Sequence, residues 1–327
     1  MIYVHIPFCN SFCTYCDFYS EICSGKVQKL FVEELCREIE RRRPEIEDTL
    51  ALNTLYIGGG TPSVLEPELL KCIVDTLGYG PYQEFTVEAN PDDITPAYAA
   101  FLKELGVTRV SMGVQSFDDG ILRWMNRRHD GAGAKQAFGQ LRAAGFDNIS
   151  IDLIFGLSQL TPQIWEHTVK QALELRPEHI SAYQLTIEEG SLLAGMIAEG
   201  KYAEAPDEQC AAQYQFLCDR MREAGYHHYE ISNFAIPGKE AVHNAAYWRR
   251  VPYVGLGPGA HSIIGTDLRC WNTQQVVGWK QECEHLTPEQ IREERLMLGL
   301  RTDSGVDGKR IPEHAWFISD SIIEDLI

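Results

Sequence analysis

Phe8-Cys9-Asn10-Ser11-Phe12-Cys13-Thr14-Tyr15-Cys16-Asp17-Phe18 gathers three cysteines into the eight residues from Cys9 to Cys16. Thiolates are soft ligands, so such a group selects zinc, copper(I) or an iron-sulfur centre over hard cations. A structural zinc site takes four protein ligands, often as two paired Cys-x-x-Cys units, and no second pair follows. A 4Fe-4S cube also has four corners, so three thiolates leave one iron open to an outside ligand. Two readings stand at this point: a cluster with one open iron, or an incomplete zinc knuckle.

Working outward, residues 2–6 read as a strand that delivers the cysteines at its carboxyl end. Further strands are expected at 54–57, 84–88, 109–113, 148–154 and 179–185, with helices near 27–43, 66–77, 95–105, 133–144 and 163–175. Such alternation argues for βα units around a parallel sheet. The spacing of about 31 residues per unit matches the ~250 residues over eight units of a full barrel. The count stops at six, so the expected fold is α/β, a partial (β/α)6 barrel.

Ligands in parallel β/α folds gather at the carboxyl ends of the strands. After the second strand comes Gly58-Gly59-Gly60-Thr61-Pro62, glycines that permit positive φ and close ligand approach, or simply a tight turn. The third strand ends in Glu88-Ala89-Asn90-Pro91-Asp92. There Glu88 can accept hydrogen bonds from a ribose or an ammonium group, while Asp92 and Asp93 fit a helix N-cap. Strand four runs into Gln115 and then Asn126-Arg127, a neutral and a charged donor suited to the ribose and carboxylate of a nucleotide-like ligand. Asp152, inside the apolar run 151–157, must find a partner and is a site candidate.

The spacing Cys9-x-x-x-Cys13-x-x-Cys16 with Tyr15 inside it resembles the radical S-adenosylmethionine (SAM) family. With Tyr3, Gly58 to Pro62, Glu88, Gly113 to Ser116, Asn126-Arg127 and Asp152 in order, the resemblance narrows. It points to the branch holding oxygen-independent coproporphyrinogen III dehydrogenases (HemN) and heme chaperones (HemW), and extends over most of the chain. It implies a 4Fe-4S cluster on Cys9, Cys13 and Cys16 whose open iron takes the amino and carboxylate groups of SAM. It further implies SAM contacts from Tyr3, Tyr15, Gly59, Gly60, Thr61, Glu88, Gln115, Arg127 and Asp152, and an electron donor for the cluster. The chemistry of the residues alone nominates only Glu88, Gln115, Arg127 and Asp152.

The dehydrogenases carry a fourth cysteine two residues after the third, where Phe18 stands here, and an arm ahead of the motif, where eight residues precede Cys9. Both departures turn the expectation from porphyrinogen oxidation toward a chaperone that holds heme and passes it to an acceptor protein. His243-Asn244-Ala245-Ala246-Tyr247-Trp248 resembles the His-Asn-x-x-Tyr-Trp motif of the chaperones. The resemblance implies heme binding by His243, Asn244, Tyr247 and Trp248; a neutral imidazole can ligate iron axially and aromatic rings can flank a porphyrin. The glycine-rich stretch 255–262 lacks the lysine of a phosphate-binding loop and is read as a tight connection at the barrel mouth. The expected organisation is a SAM barrel over 1–230, an extension with the heme motif over 231–285, and the start of a small, shortened C-terminal helical domain over 286–327.

Composition restricts the alternatives. Lys and Arg total 29 against 47 Asp and Glu, a formal charge of −18. Such a surface repels phosphate backbones and anionic lipid, so nucleic acid is not an expected partner. Arg41-Arg42-Arg43 reads as a helix end, where cations suit the dipole. No apolar run long enough to span a bilayer is present, and the N-terminal residues lack the basic and apolar regions of a signal peptide. The expected location is cytoplasmic, with thiols reduced and the seven remaining cysteines mostly small core residues.

Overall fold

The computed structural model describes residues 1–188 and 190–326. Its strands are β1 Ile2–Ile6, β2 Thr54–Gly59, β3 Glu84–Ala89, β4 Arg109–Gln115, β5 Ile149–Phe155, β6 His179–Gln184, β7 His227–Glu230, β8 Asn233–Ala235, β9 Val254–Leu256, β10 His261–Ile264, β11 Leu268–Asn272 and β12 Gln281–His285. The helices are α1 Gly25–Arg41, α2 Arg43–Asp48, α3 Pro67–Leu77, α4 Pro96–Glu104, α5 Asp119–Trp124, α6 Gly131–Ala143, α7 Pro162–Leu175, α8 Leu192–Ala198, α9 Asp207–Glu223, α10 Val242–Trp248, α11 Pro288–Gly299 and α12 Ser319–Glu324.

β1 to β6 form the parallel core of a nine-stranded sheet ordered β7-β8-β6-β5-β4-β3-β2-β1-β9, and β10 to β12 form a separate antiparallel sheet. Successive strand side chains point to opposite faces. Leu55, Ile57, Phe85, Val87, Val110, Met112, Ile151, Leu153, Ile180 and Ala182 form one face, buried in the core. The alternate residues are polar: Thr54 and Tyr56, Glu84, Thr86 and Glu88, Arg109 and Ser111, Ser150 and Asp152, His179 and Ser181. Tyr56, Glu88, Ser111, Asp152 and Ser181 come from five strands yet line one cavity, so the sheet curls around a polar interior as a partial barrel. Six parallel strands and the helices between them lie where the apolar runs place them, with ends shifted by a few residues.

Local chemistry accounts for the shifts. The α6 helix starts at Gly131 because the Asp130 carboxylate accepts from Gly133 N at 2.7 Å, a side-chain cap that opens the helix. A bulge between Gly113 and Gln115 carries β4 past its expected end, with Gln115 at φ 66°; bulges re-aim side chains, and Gln115 reaches the cavity. Residues 229–234 do not form one extended strand: a turn at Ile231-Ser232 separates β7 from β8. Ala182 N donates to Ser232 O at 2.8 Å and Tyr214 Oη to Ile231 O at 2.8 Å, which hold that turn.

In the glycine-rich stretch, 254–256 is a strand parallel to β1 and none of 255–262 lines the cavity. Gly257 has φ 88°, and a Cβ there would stand 2.6 Å from His5 O, so that strand approaches β1 as only glycine allows. A buried ion pair fastens it: Arg42 donates to Glu38 Oε1 (3.3 Å), Gly255 O (2.7 Å) and Ser262 Oγ (3.1 Å). The cysteine expectations are corrected: of the seven, Cys210, Cys218 and Cys270 are buried, while Cys23 and Cys36 are half-buried and Cys72 and Cys283 exposed. Cys270 and Cys283, directly opposed on β11 and β12, are disulfide-bonded, because antiparallel pairing brings residues thirteen apart face to face.

Candidate functional site

The strands' carboxyl ends open into a cavity of about 1090 Å³ lined by Cys9, Cys13, Cys16, Tyr15, Gly59, Gly60, Thr61, Glu88, Gln115, Arg127 and Asp152. Eleven of the twelve residues expected to hold the cluster and SAM thus converge. The twelfth, Tyr3, does not line the cavity: its ring packs 6.1 Å from that of Tyr56 and its hydroxyl lies 3.0 Å from His5 Nδ1.

The cysteine loop is fixed at several points. Cys9 N donates to Glu21 O at 3.1 Å and Thr14 N to Met125 O at 3.2 Å, while Asn126 Nδ2 donates to Phe12 O at 2.7 Å. Cys9 Sγ lies 3.4 Å from Thr61 Oγ1, which ties the loop after β1 to the loop after β2. Gly60 permits that approach, since a Cβ there would stand 2.8 Å from Phe8 O. Burial pushes the Cys16 thiol up to about 11.

Arg127 spans the site. Its Nη1 lies 3.3 Å from Cys13 Sγ and its Nη2 donates to Asn90 Oδ1 and Gly113 O at 2.6 Å each. Its Nε is buried and has no hydrogen-bond partner among the described residues. Glu88 accepts from Tyr56 Oη at 2.7 Å and Gly59 N at 3.2 Å. Burial pushes its carboxyl up to about 7, with the charge of Asp152 adding to the rise and the Tyr56 and Gly59 donors opposing it. Asp152, also raised by burial, accepts from Ser111 Oγ at 3.2 Å.

These residues suit the implied groups. Cys9, Cys13 and Cys16 are free thiols around one space. Among the described residues no three His, Cys, Asp or Glu side chains converge tightly enough for a single ion, and a polynuclear cube needs thiolates set wider than one ion does. The deep wall offers the carboxylates of Glu88 and Asp152 and the guanidinium of Arg127, which match a ligand carrying an amino acid end and a ribose.

The heme motif is placed differently. His243 is fully buried; its Nδ1 lies 2.8 Å from Thr54 Oγ1 and its Nε2 2.9 Å from Tyr247 Oη. Val242 N and His243 N donate to the Glu84 carboxylate at 2.8 and 2.9 Å, so an inward barrel carboxylate caps the start of α10. The helix sits against the barrel interior, and of the motif only Asn244 lines the cavity. In this conformation both ring nitrogens of His243 are engaged, so iron ligation by His243 would require α10 to release the ring.

Sequence reasoning missed Tyr56, Asn90, Ser111, Ser181 and Tyr183, all on the cavity wall. The available signal was the two-residue spacing of polar groups through each strand. It also missed the rim, where Phe12, Phe18, Tyr183, Leu192 and Ile318 are exposed and line the same cavity; Phe18 is 67% exposed.

Residues 3–172 match the model of the radical SAM superfamily. The chain is 38% identical to the heme chaperone HemW of Bacillus subtilis (strain 168), over 95% of this chain and 86% of that protein. It is 35% identical to the heme chaperone HemW of Synechocystis, over 95% and 80%. It is 32% identical to the mitochondrial radical S-adenosyl methionine domain-containing protein 1 of Danio rerio, over 93% and 73%. Among solved structures, the Escherichia coli coproporphyrinogen III oxidase HemN superposes with a TM-score of 0.77 at 24% identity, over 92% of this chain and 75% of that one, a likeness of fold. The cysteine loop, the polar barrel interior and these matches agree: the chain belongs to the radical SAM superfamily, in the family of the proteins named heme chaperone HemW.

Proposed function

We propose that this protein is a cytoplasmic heme chaperone that carries a 4Fe-4S cluster on Cys9, Cys13 and Cys16. SAM would lie along Tyr15, Gly59, Gly60, Thr61, Glu88, Gln115, Arg127 and Asp152, with Tyr3 behind them, and heme would pass from the protein to an acceptor. When bound, the cluster supplies electron transfer to SAM; the chain's own residues orient the ligand, with Glu88 and Asp152 as acceptors and Arg127 and Gln115 as donors. The observation that carries the reading is the two-part cavity. Its volume of about 1090 Å³ lies at the upper end of the roughly 300–1,000 Å³ of a small-ligand site. Its deep end is polar and its rim apolar and aromatic, with Phe18 at the place of the dehydrogenases' fourth cysteine. Aromatic rings offer a flat macrocycle large contact area. Among the described residues no helix is long and apolar enough to cross a membrane.

The test is an anaerobic heme titration of the cluster-loaded protein followed in the Soret region. Saturable one-to-one binding is expected. A Soret shift in His243→Ala would show that α10 releases the ring to ligate iron, with Asn244, Tyr247 and Trp248 beside it; an unchanged band puts the iron at the rim. Absence of saturable binding refutes the chaperone reading. The alternative, a radical enzyme acting on a porphyrinogen, would then require 5'-deoxyadenosine to form in step with porphyrinogen consumption.

A further inference from the structure

We propose that Cys36 and Cys72 form an oxidisable dithiol on the outside of the barrel, which takes a low-molecular-weight disulfide as oxidant and closes to a Cys36–Cys72 bridge. The two thiols come from different βα units. Cys36 lies on α1, the helix after the cysteine loop, and Cys72 on α3, the helix after the Gly59–Thr61 loop. The two helices pack against each other, and the sulfurs stand 3.9 Å apart. That is contact without a bond, and a disulfide needs the sulfurs at about 2.05 Å. Closing that gap requires a change of side-chain rotamer at one or both cysteines.

The pair is asymmetric in the way thiol–disulfide exchange requires. Cys72 is exposed and Cys36 half-buried, so a reagent meets Cys72 first. Burial pushes the Cys36 thiol up, with Cys72 and Glu40 adding to the rise and the Thr76 hydroxyl, 3.3 Å from Cys36 Sγ, opposing it. Two ion pairs involve the same helices: Glu40 of α1 with Arg43 of α2, and Lys71 with Asp75 on α3. Cys72 is therefore the entering thiol and Cys36 the resolving one. No role in the cavity involves either residue.

The chemistry balances in two exchanges. The Cys72 thiolate attacks one sulfur of the small disulfide, forming a mixed disulfide and releasing one small thiolate. The Cys36 thiolate then attacks the Cys72 sulfur, the mixed disulfide breaks, and a second small thiolate leaves. Two protein thiols are oxidised, one small disulfide is reduced to two thiols, and the two protons from the cysteines pass to the departing thiolates. The bridge ties the helix that leaves the cluster loop to the helix that leaves the glycine loop, the two loops joined at the site by the Cys9–Thr61 contact.

The experiment treats anaerobic, cluster-loaded protein with glutathione disulfide, traps free thiols by alkylation and maps peptides without reduction. The expected result is a peptide pair joined through Cys36 and Cys72, with those two thiols lost to alkylation and restored by dithiothreitol, and with cluster absorbance unchanged. Cys36→Ser is expected to stop at a stable glutathione adduct on Cys72, its cluster absorbance reporting that the variant is folded. A wild-type protein in which Cys72 keeps the glutathione adduct, or in which both thiols stay alkylatable, overturns the proposal.

Discussion

Glu88 gives the sharpest test of the SAM assignment, because its carboxyl sits near neutrality. Burial raises it to about 7, and only its ionised form accepts from both Tyr56 and Gly59 and still presents lone pairs to a ligand's donors. If SAM binds only that form, apparent affinity scales with the ionised fraction, which is about 0.9 at pH 8 and about 0.1 at pH 6. SAM binding is then about tenfold weaker at pH 6 than at pH 8. Glu88→Gln keeps an acceptor but loses the charge assistance, about 1 kcal/mol or roughly fivefold in affinity at pH 8, and its profile over the same range is flatter. The linkage in the free protein has the opposite sense. The folded pKa lies above the unfolded one, so the folded state binds the proton more tightly and stability falls as pH rises from about 4.5 through 7. The loss is complete above that window, at about 3 kcal/mol, and SAM-free Glu88→Gln is expected to melt above the wild type at pH 8. Anaerobic equilibrium dialysis of labelled SAM against both proteins at pH 6, 7 and 8 decides the matter. A flat wild-type profile, with the variant binding equally well, would refute the role assigned to Glu88.

Two further outcomes follow from the geometry. Cys13→Ser removes a thiolate beside Arg127 Nη1 and is expected to abolish stable cluster assembly, measured as iron content and visible absorbance after anaerobic reconstitution; a full, stable cube in that variant would sink the three-cysteine assignment. Arg42→Ala leaves Glu38 buried, although Gly257 N (2.8 Å), Asn272 Nδ2 (2.8 Å) and Trp279 Nε1 (3.0 Å) still donate to it. Breaking such a pair costs about 3–5 kcal/mol; with three donors left the lower figure is expected by urea unfolding, and a loss under about 1 kcal/mol would contradict it.

The sequence by itself determined the parallel barrel and the ligand side of it. Alternating apolar residues in runs such as 54–57 and 84–88 encode strand faces, and the helices between them carry their own caps, Asp130 and Thr161 among them. Those signals act within a few residues of chain, so they survive without knowledge of the fold. The loops after the strands were legible for a related reason: whatever follows a parallel strand ends on the ligand face. Cys9, Glu88, Gln115, Arg127 and Asp152 could therefore be placed together before any contact among them was known.

Tertiary structure decided what depends on residues far apart in the chain. The motif's resemblance implies heme binding by His243, yet Thr54, 189 residues away, and Glu84 hold it against the barrel in this conformation. The apolar rim takes Phe18 from the cysteine loop, Leu192 from α8 and Ile318 from the segment before α12. Cys36 and Cys72 meet only because α1 and α3 pack side by side. Local pattern fixes which way a side chain points from its own element, and only the packing of elements fixes what it meets.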